Sequence, residues 1–254
     1  MQVHILGCSA GIGAPRRTTC IQINDDLLID AGTGAGELTH EQIIAIDAVL
    51  LTHAHLDHAG SLPLLADAAA GFRPGPLTVH ALPETIAALT GHMFNNQLWP
   101  DYTRHPSPES PWLRFAPVAV GDSFSLKGKQ VTVLPVKHSV PACGYAVDGG
   151  SGSFVFSGDT TLHPPFWQAL QQLPRLRYLM IETTFRSAQR EQALRSGHMT
   201  PALLAEGLAW LGQPVTVLIS HLEPGHEAGV LADIEQALGA GTAQRLVRGM
   251  RFAV

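Results

Sequence analysis

Charged side chains are scarce in this chain of 254 residues: Asp, Glu, Lys and Arg make up only 15%, below the ~25% usual for soluble proteins. With 45% hydrophobic residues beside so little charge, disorder is excluded and most of the length can be buried. Cysteine is equally sparse. Cys8, Cys20 and Cys143 are an odd number with no CxxC spacing, which excludes a disulfide framework and a cysteine zinc knot. No apolar stretch reaches the ~18 residues of a membrane span, and the opening MQVHILGCSAG has no basic region before an apolar run, so a cytoplasmic protein without a membrane partner is expected. Basic residues number 16 against 21 acidic ones, a net charge of −5. They form no cluster, which argues against a partner that is long nucleic acid held by its phosphates.

What the chain has in excess is histidine, 13 copies, and imidazole is the commonest metal ligand. Alternating apolar residues predict short strands over 3–5, 20–23 and 27–29, then over 48–52 and 77–80, with helices over 60–70 and 83–93. Prolines 100, 106, 108 and 111, with Trp99 and Trp112, interrupt this pattern. The stretch reads as an insertion, at about 92–115, near an active-site mouth. Strand composition returns over 123–126, 130–138, 145–147 and 153–157, followed by helix 164–171, strand 178–181, helix 201–211 capped by Thr200, and strand 215–220. The strands-then-helices order occurs twice. One α/β domain over 1–254 is therefore expected, a four-layer αββα sandwich with two sheets face to face and helices outside.

The densest chemical signal is Thr52-His53-Ala54-His55-Leu56-Asp57-His58, directly after an apolar strand. Imidazoles this crowded repel one another when charged, and His53 and His55 at i, i+2 face the same way if strand geometry persists. A metal ion explains the cluster. His138, Asp159 and His221 each follow an apolar run, so each is a ligand candidate held rigidly at a strand end. The loop Gly7-Cys8-Ser9-Ala10-Gly11 could bring backbone N–H groups to a phosphate, with Ser9 beside them.

THAHLDH followed by these three lone ligands resembles the metallo-β-lactamase superfamily over nearly the whole chain, and the fold of that superfamily is the αββα sandwich. The resemblance implies two divalent ions, zinc first, with manganese or iron also suited to the ligands. One would sit on His53, His55 and His138, the other on Asp57, His58 and His221, with Asp159 bridging. Asp159 in place of cysteine disfavours a true β-lactamase, and the short stretch after His221 leaves no room for the helical domain of glyoxalase II.

HLDHAGSLPLL and HMFNNQLWPDY look like the class II 3′,5′-cyclic nucleotide phosphodiesterases. That likeness implies cyclic AMP or cyclic GMP as a small-molecule substrate, hydrolysed to a nucleoside 5′-monophosphate by a hydroxide between the metals. Asp57 then counts as catalytic as well as a ligand, and Asn95, Asn96, Trp99 and Tyr102 offer amides and stacking faces for a purine. Glu182 in IETTF and His198 in SGHMTP resemble motifs of this family and of tRNase Z, and imply a carboxylate that orients a proton-donating imidazole. The alternatives are a tRNase Z-like or lactonase-type hydrolase, or a non-catalytic binding member of the fold. A homodimer is compatible with this reading.

Overall fold

In the strand Ser153–Phe156, Phe154 and Phe156 point into one buried cluster and Val155 into another. A strand apolar on both faces needs a cover on each side. The computed structural model, which describes residues 1–254, satisfies this with two seven-stranded sheets packed face to face and helices over their outer surfaces. The inner core joins Val3, Ile5, Ile21 and Ile29 of one sheet to Val131, Val133, Tyr145 and Phe156 of the other. On the outside, Val49 and Val79 meet Leu62, Leu65 and Leu89, while Val155 and Leu179 meet Phe166, Trp167 and Leu203. The four layers expected from the sequence are present.

Each sheet is half antiparallel and half parallel. In the first, Gln2–Gly7, Cys20–Ile23 and Leu27–Ile29 form an antiparallel ribbon extended by parallel Ala48–Leu50, Leu77–Ala81 and Leu113–Pro117. In the second, Ser123–Leu126, Lys129–Pro135, Cys143–Asp148 and Ser153–Phe156 are antiparallel, and Leu176–Glu182, Thr216–Ser220 and Ala243–Arg245 continue in parallel. Parallel neighbours require crossovers, and helices supply them. Parallel strands also end at one edge, where loops collect side chains from distant parts of the chain. No helix is long and apolar enough to cross a membrane.

This topology corrects the expected position of the insertion at the mouth. Leu77–Ala81 runs parallel to Ala48–Leu50, with His80 opposite Leu50, so its C-terminal end lies at the edge where His53 begins. The helix Pro83–His92 then runs back along the outside of the sheet, about 15 Å for its 10 residues. Residues 93–112 therefore lie at the far end, where the Trp112 carbonyl accepts from Leu77 N at 2.9 Å and the Tyr102 carbonyl from Leu113 N at 3.1 Å.

Candidate metal centre

Four strand ends deliver the ligands. His53, His55, Asp57 and His58 follow Ala48–Leu50, His138 follows Lys129–Pro135, Asp159 follows Ser153–Phe156 and His221 follows Thr216–Ser220. Donor atoms of His53, His55, His138 and Asp159 lie within 4.8 Å of one another, and so do those of Asp57, His58, Asp159 and His221. Asp159 belongs to both groups. Donors bound at about 2.0–2.1 Å in a tetrahedron would stand about 3.3 Å apart. Here His53 Nε2 is 3.1 Å from His55 Nδ1, which is 3.2 Å from His138 Nε2. In the second group His58 Nε2 is 3.3 Å from Asp159 Oδ1, and His221 Nε2 is 3.1 Å from Asp57 Oδ2 and 3.4 Å from Asp159 Oδ2.

The tautomers fit as well. His53 Nδ1 lies 3.0 Å from the Thr52 hydroxyl, which itself donates to Asp30 at 2.9 Å. His58 Nδ1 meets Asp30 at 2.6 Å, His138 Nδ1 the Gly197 carbonyl at 3.0 Å, and His221 Nδ1 the Thr184 hydroxyl at 2.9 Å. An N–H committed at Nδ1 leaves Nε2 with a lone pair, as metal ligation demands. His58 Nε2 and Asp159 Oδ1 are buried 3.3 Å apart with no well-aligned hydrogen bond, and a cation would satisfy both. The residues fit two ions.

Burial, with His58 the next largest influence, holds the His53 imidazole far below its ordinary pKa, and burial also lowers His55 and His138. These rings stand neutral and able to ligate. Burial opposes ionisation of Asp159, but the imidazoles of His221 and His58 outweigh it and hold the carboxyl well below the usual range. His58 is the exception. Burial lowers its pKa, yet Asp159 and Asp30 on either side outweigh that and raise it well above its ordinary value. A proton there occupies the place a metal would take, so metal loading must release it.

Several supports carry no motif of their own. Asp30, 0% exposed, accepts from Thr52 N, Thr52 Oγ1 and His58 Nδ1. Both Asp30 and His221 hold left-handed backbone, φ 59° and 57°, a conformation uncommon outside glycine and often kept where it aims a functional group. Gly197, at φ 77°, has its Cα so close to His138 that a Cβ would come within 2.8 Å of the His138 Cα. A side chain there would displace a ligand. Thr184 Oγ1 lies 2.9 Å from both Glu182 Oε2 and His221 Nδ1, linking the carboxylate to a ligand.

Beside the metal groups, His198 Nδ1 sits 2.8 Å from Glu182 Oε1 and 4.0 Å from Asp159 Oδ2. Glu182 is fully buried and also accepts from Thr160 N at 3.1 Å and Thr184 N at 3.2 Å. Burial lowers the His198 pKa, but the Glu182 carboxylate outweighs it and raises the value to about 9.

Not every expected residue comes to this edge. Ser9 lies next to it, since the Cys8 carbonyl accepts from His221 N at 2.7 Å, but its hydroxyl is engaged by the Leu222 carbonyl at 3.3 Å. Asn95, Asn96 and Trp99, expected to hold a base, are in the far-end segment and are not available to a substrate on the metal ligands. Asn95 Oδ1 accepts from Gln97 N and Leu98 N, and Asn96 Oδ1 accepts from Asp101 N. Trp99 packs on the outer core that contains Phe94 and Tyr102, and the Tyr102 hydroxyl donates to Asp67. These side chains build the loop. Trp99→Ala is therefore expected to cost about 2 kcal/mol of stability as a half-buried ring is removed, with KM for phosphodiesters within about twofold of wild type. Chemical denaturation beside steady-state kinetics checks both. A KM effect in a protein of unchanged stability would return Trp99 to the substrate.

Two sheets in this arrangement, with seven His and Asp ligand candidates gathered on one edge, define a metallo-β-lactamase-type hydrolase. Residues 26–222 match the family model described as the beta-lactamase superfamily domain, and the chain belongs to that family. It is 26% identical over 240 residues to a probable 3′,5′-cyclic-nucleotide phosphodiesterase of Yersinia pestis, covering 82% of this chain and 68% of that protein. Among solved structures it resembles unliganded yeast PDE1, with a TM-score of 0.81, 16% identity and 98% of each chain covered. The metallo-beta-lactamase fold protein YhfI of Bacillus subtilis is similar too, with a TM-score of 0.79, 18% identity and 99% of each chain. Human tRNase Z, short form, gives 0.68 at 16% identity, covering 100% of this chain and 99% of that one. These structures share the fold.

Proposed function

We propose that this protein is a binuclear phosphodiesterase that opens 3′,5′-cyclic nucleotides to nucleoside 5′-monophosphates. The observation that carries the reading is the Glu182–His198 pair, placed 4.0 Å from the carboxylate shared by both ligand groups. Such a donor serves the departure of a basic alkoxide from phosphorus, as O3′ is in a cyclic nucleotide. The similarity to the Yersinia pestis protein supports the same substrate class.

Two divalent ions held by His53, His55 and His138 and by Asp57, His58 and His221 would supply a nucleophilic water at neutral pH and stabilise charge on the phosphoryl oxygens. Asp159 and Asp57 offset part of that charge, leaving a site of about +2 that attracts a phosphodiester monoanion. Glu182 holds the His198 ring through Nδ1, so Nε2–H is the free donor. As the water oxygen bonds to phosphorus and the bond to O3′ breaks, the His198 proton goes to O3′, the proton given up by the water passes to solvent, and the 5′ ester remains. Thr184 keeps His221 and Glu182 in fixed relation during the transfer.

The test is to offer metal-loaded protein cyclic AMP, cyclic GMP, a 2′,3′-cyclic nucleotide, bis-p-nitrophenyl phosphate and a lactone, with products resolved by chromatography. Nucleoside 5′-monophosphate from a 3′,5′-cyclic nucleotide is expected. Lactone turnover without any from the cyclic nucleotides would overturn the proposal.

A further inference from the structure

With the 92–115 segment at the far end, the part of the substrate beyond its phosphate must be held elsewhere. We infer that its nucleoside sits in the groove that runs from His138 to the loop 118–120, an inference that rests on the metal ligands being the phosphodiester site. The groove holds about 680 Å³, within the range of small-molecule pockets.

Its walls come from three segments that the topology brings to the ligand edge. Leu82, Pro83 and Glu84 follow the strand Leu77–Ala81, residues 118–120 follow Leu113–Pro117, and residues 136–142 join Lys129–Pro135 to Cys143–Asp148. The register confirms that the first two share an end, since Ala81 lies opposite Pro117 and Val118 N donates to the Ala81 carbonyl at 3.0 Å. The third is tied to the metal loop, because Lys137 N donates to Thr160 Oγ1 next to Asp159, and Cys143 N to the Thr52 carbonyl next to His53.

The groove meets the metal ligands at His138 and is mostly apolar along its walls. Beside His138 lie Val136, Val140 and Pro141 as well as Ser139, and the opposite wall holds Leu82, Pro83, Val118 and Val120 together with the Glu84 carboxylate, with Val120 48% exposed. The metal ligands suit the anionic ester, the aliphatic surface suits an uncharged ring, and the Glu84 carboxylate can accept from a hydroxyl or ring N–H. A nucleoside phosphodiester combines an anionic ester, apolar ring faces and hydrogen-bond donors. Contact between the ring faces and Val and Pro side chains removes apolar surface from water on both partners.

Two chromogenic linear diesters test this, thymidine 5′-p-nitrophenyl phosphate and methyl p-nitrophenyl phosphate, which share a leaving group and differ by the nucleoside. The metal-loaded wild type is expected to favour the first in kcat/KM by at least about tenfold. Ala119 lines the groove and is exposed, so Ala119→Trp fills it from a surface loop without adding charge. That variant should raise KM for the nucleoside diester about tenfold and leave the methyl diester within about twofold. Val120→Ala, which shortens the wall, should raise the nucleoside KM by a smaller factor at unchanged kcat. A wild type without nucleoside preference, or an Ala119→Trp variant that loses both substrates equally while melting normally, would overturn the inference. The outcome is separable from the proposed activity. Preference for the nucleoside diester without any cyclic nucleotide turnover keeps the groove and removes the proposed reaction, and the reverse result removes the groove alone.

Discussion

Asp159→Ala is expected to empty both metal positions at once. Elemental analysis of the wild type should give about two ions per chain, and the variant close to none under the same loading conditions. The reason is shared use: Asp159 Oδ1 lies 3.3 Å from His58 Nε2, and Oδ2 lies 3.4 Å from His221 Nε2 and 3.8 Å from His53 Nε2. Removing this carboxylate takes a ligand from each ion and also the negative charge, itself 2% exposed, that keeps two dications tolerable side by side. Phosphodiester turnover should fall by at least about 10³-fold. Stability gives a second measure, since an ion that binds only the folded state raises its melting temperature. A chelator should lower the melting temperature of the wild type and have little effect on the variant. If the variant loses one ion and keeps the other, Asp159 is a terminal ligand of a single site and not a bridge, whereas a fully loaded wild type with one ion or none overturns the binuclear reading.

Metal loading should also weaken on acidification. The neutral imidazoles of His53, His55 and His138 have lowered pKa values and resist protonation, but His58 has a raised one and holds its proton between Asp159 and Asp30. An ion must displace that proton, so affinity falls as pH drops. The proton and the metal compete for one buried place.

The ligands were legible because chemistry confines them. Four candidate ligands within six residues after an apolar strand have few other uses, and His138, Asp159 and His221 share the signature of a polar residue at the end of an apolar run. Asp30 carries that signature too, following Leu27–Ile29, and the same reasoning would have found it. Thr184 and Gly197 left no such mark. A threonine two residues past a strand is ordinary, and the closeness of Gly197 to His138 depends on a contact between residues 59 apart in the chain. The expected helix over 60–70 is present as Leu62–Ala69, behind a short turn Leu56–Ala59 that carries two of the ligands. Leu113–Pro117 and Arg251–Ala253 went unread because each is a short edge strand whose conformation is set by its one neighbour in the sheet. That omission mattered. Without Leu113–Pro117 parallel to Leu77–Ala81, nothing in the sequence shows that a helix carries the 92–115 segment to the wrong end for catalysis.

The second large effect is expected at His198. His198→Ala should retain its metals and its melting temperature while kcat falls by about 10²–10⁴-fold, the range for a lost general acid. The loss should depend on the leaving group. O3′ of a cyclic nucleotide leaves as a basic alkoxide and needs the proton, whereas p-nitrophenolate leaves without one and should be affected far less. The pH profile supplies the residue assignment. Glu182 raises the His198 pKa to about 9, and divalent charge on the adjacent ligands acts in the opposite direction. The alkaline limb of kcat for a cyclic nucleotide should therefore fall at or below about pH 9, with activity present while His198 is protonated and lost as pH rises through that value. In Glu182→Gln the ring loses its charged partner, so the limb should move to lower pH, toward the ordinary 6.5 of histidine. The stability effect has the same sign: a raised folded pKa favours the folded state most below 6.5, and this contribution disappears as pH climbs through about 9. Equal losses on both leaving groups, with an unmoved limb in Glu182→Gln, would make His198 a clamp on phosphate oxygen and not the donor. Loss of metal in His198→Ala would make it a ligand.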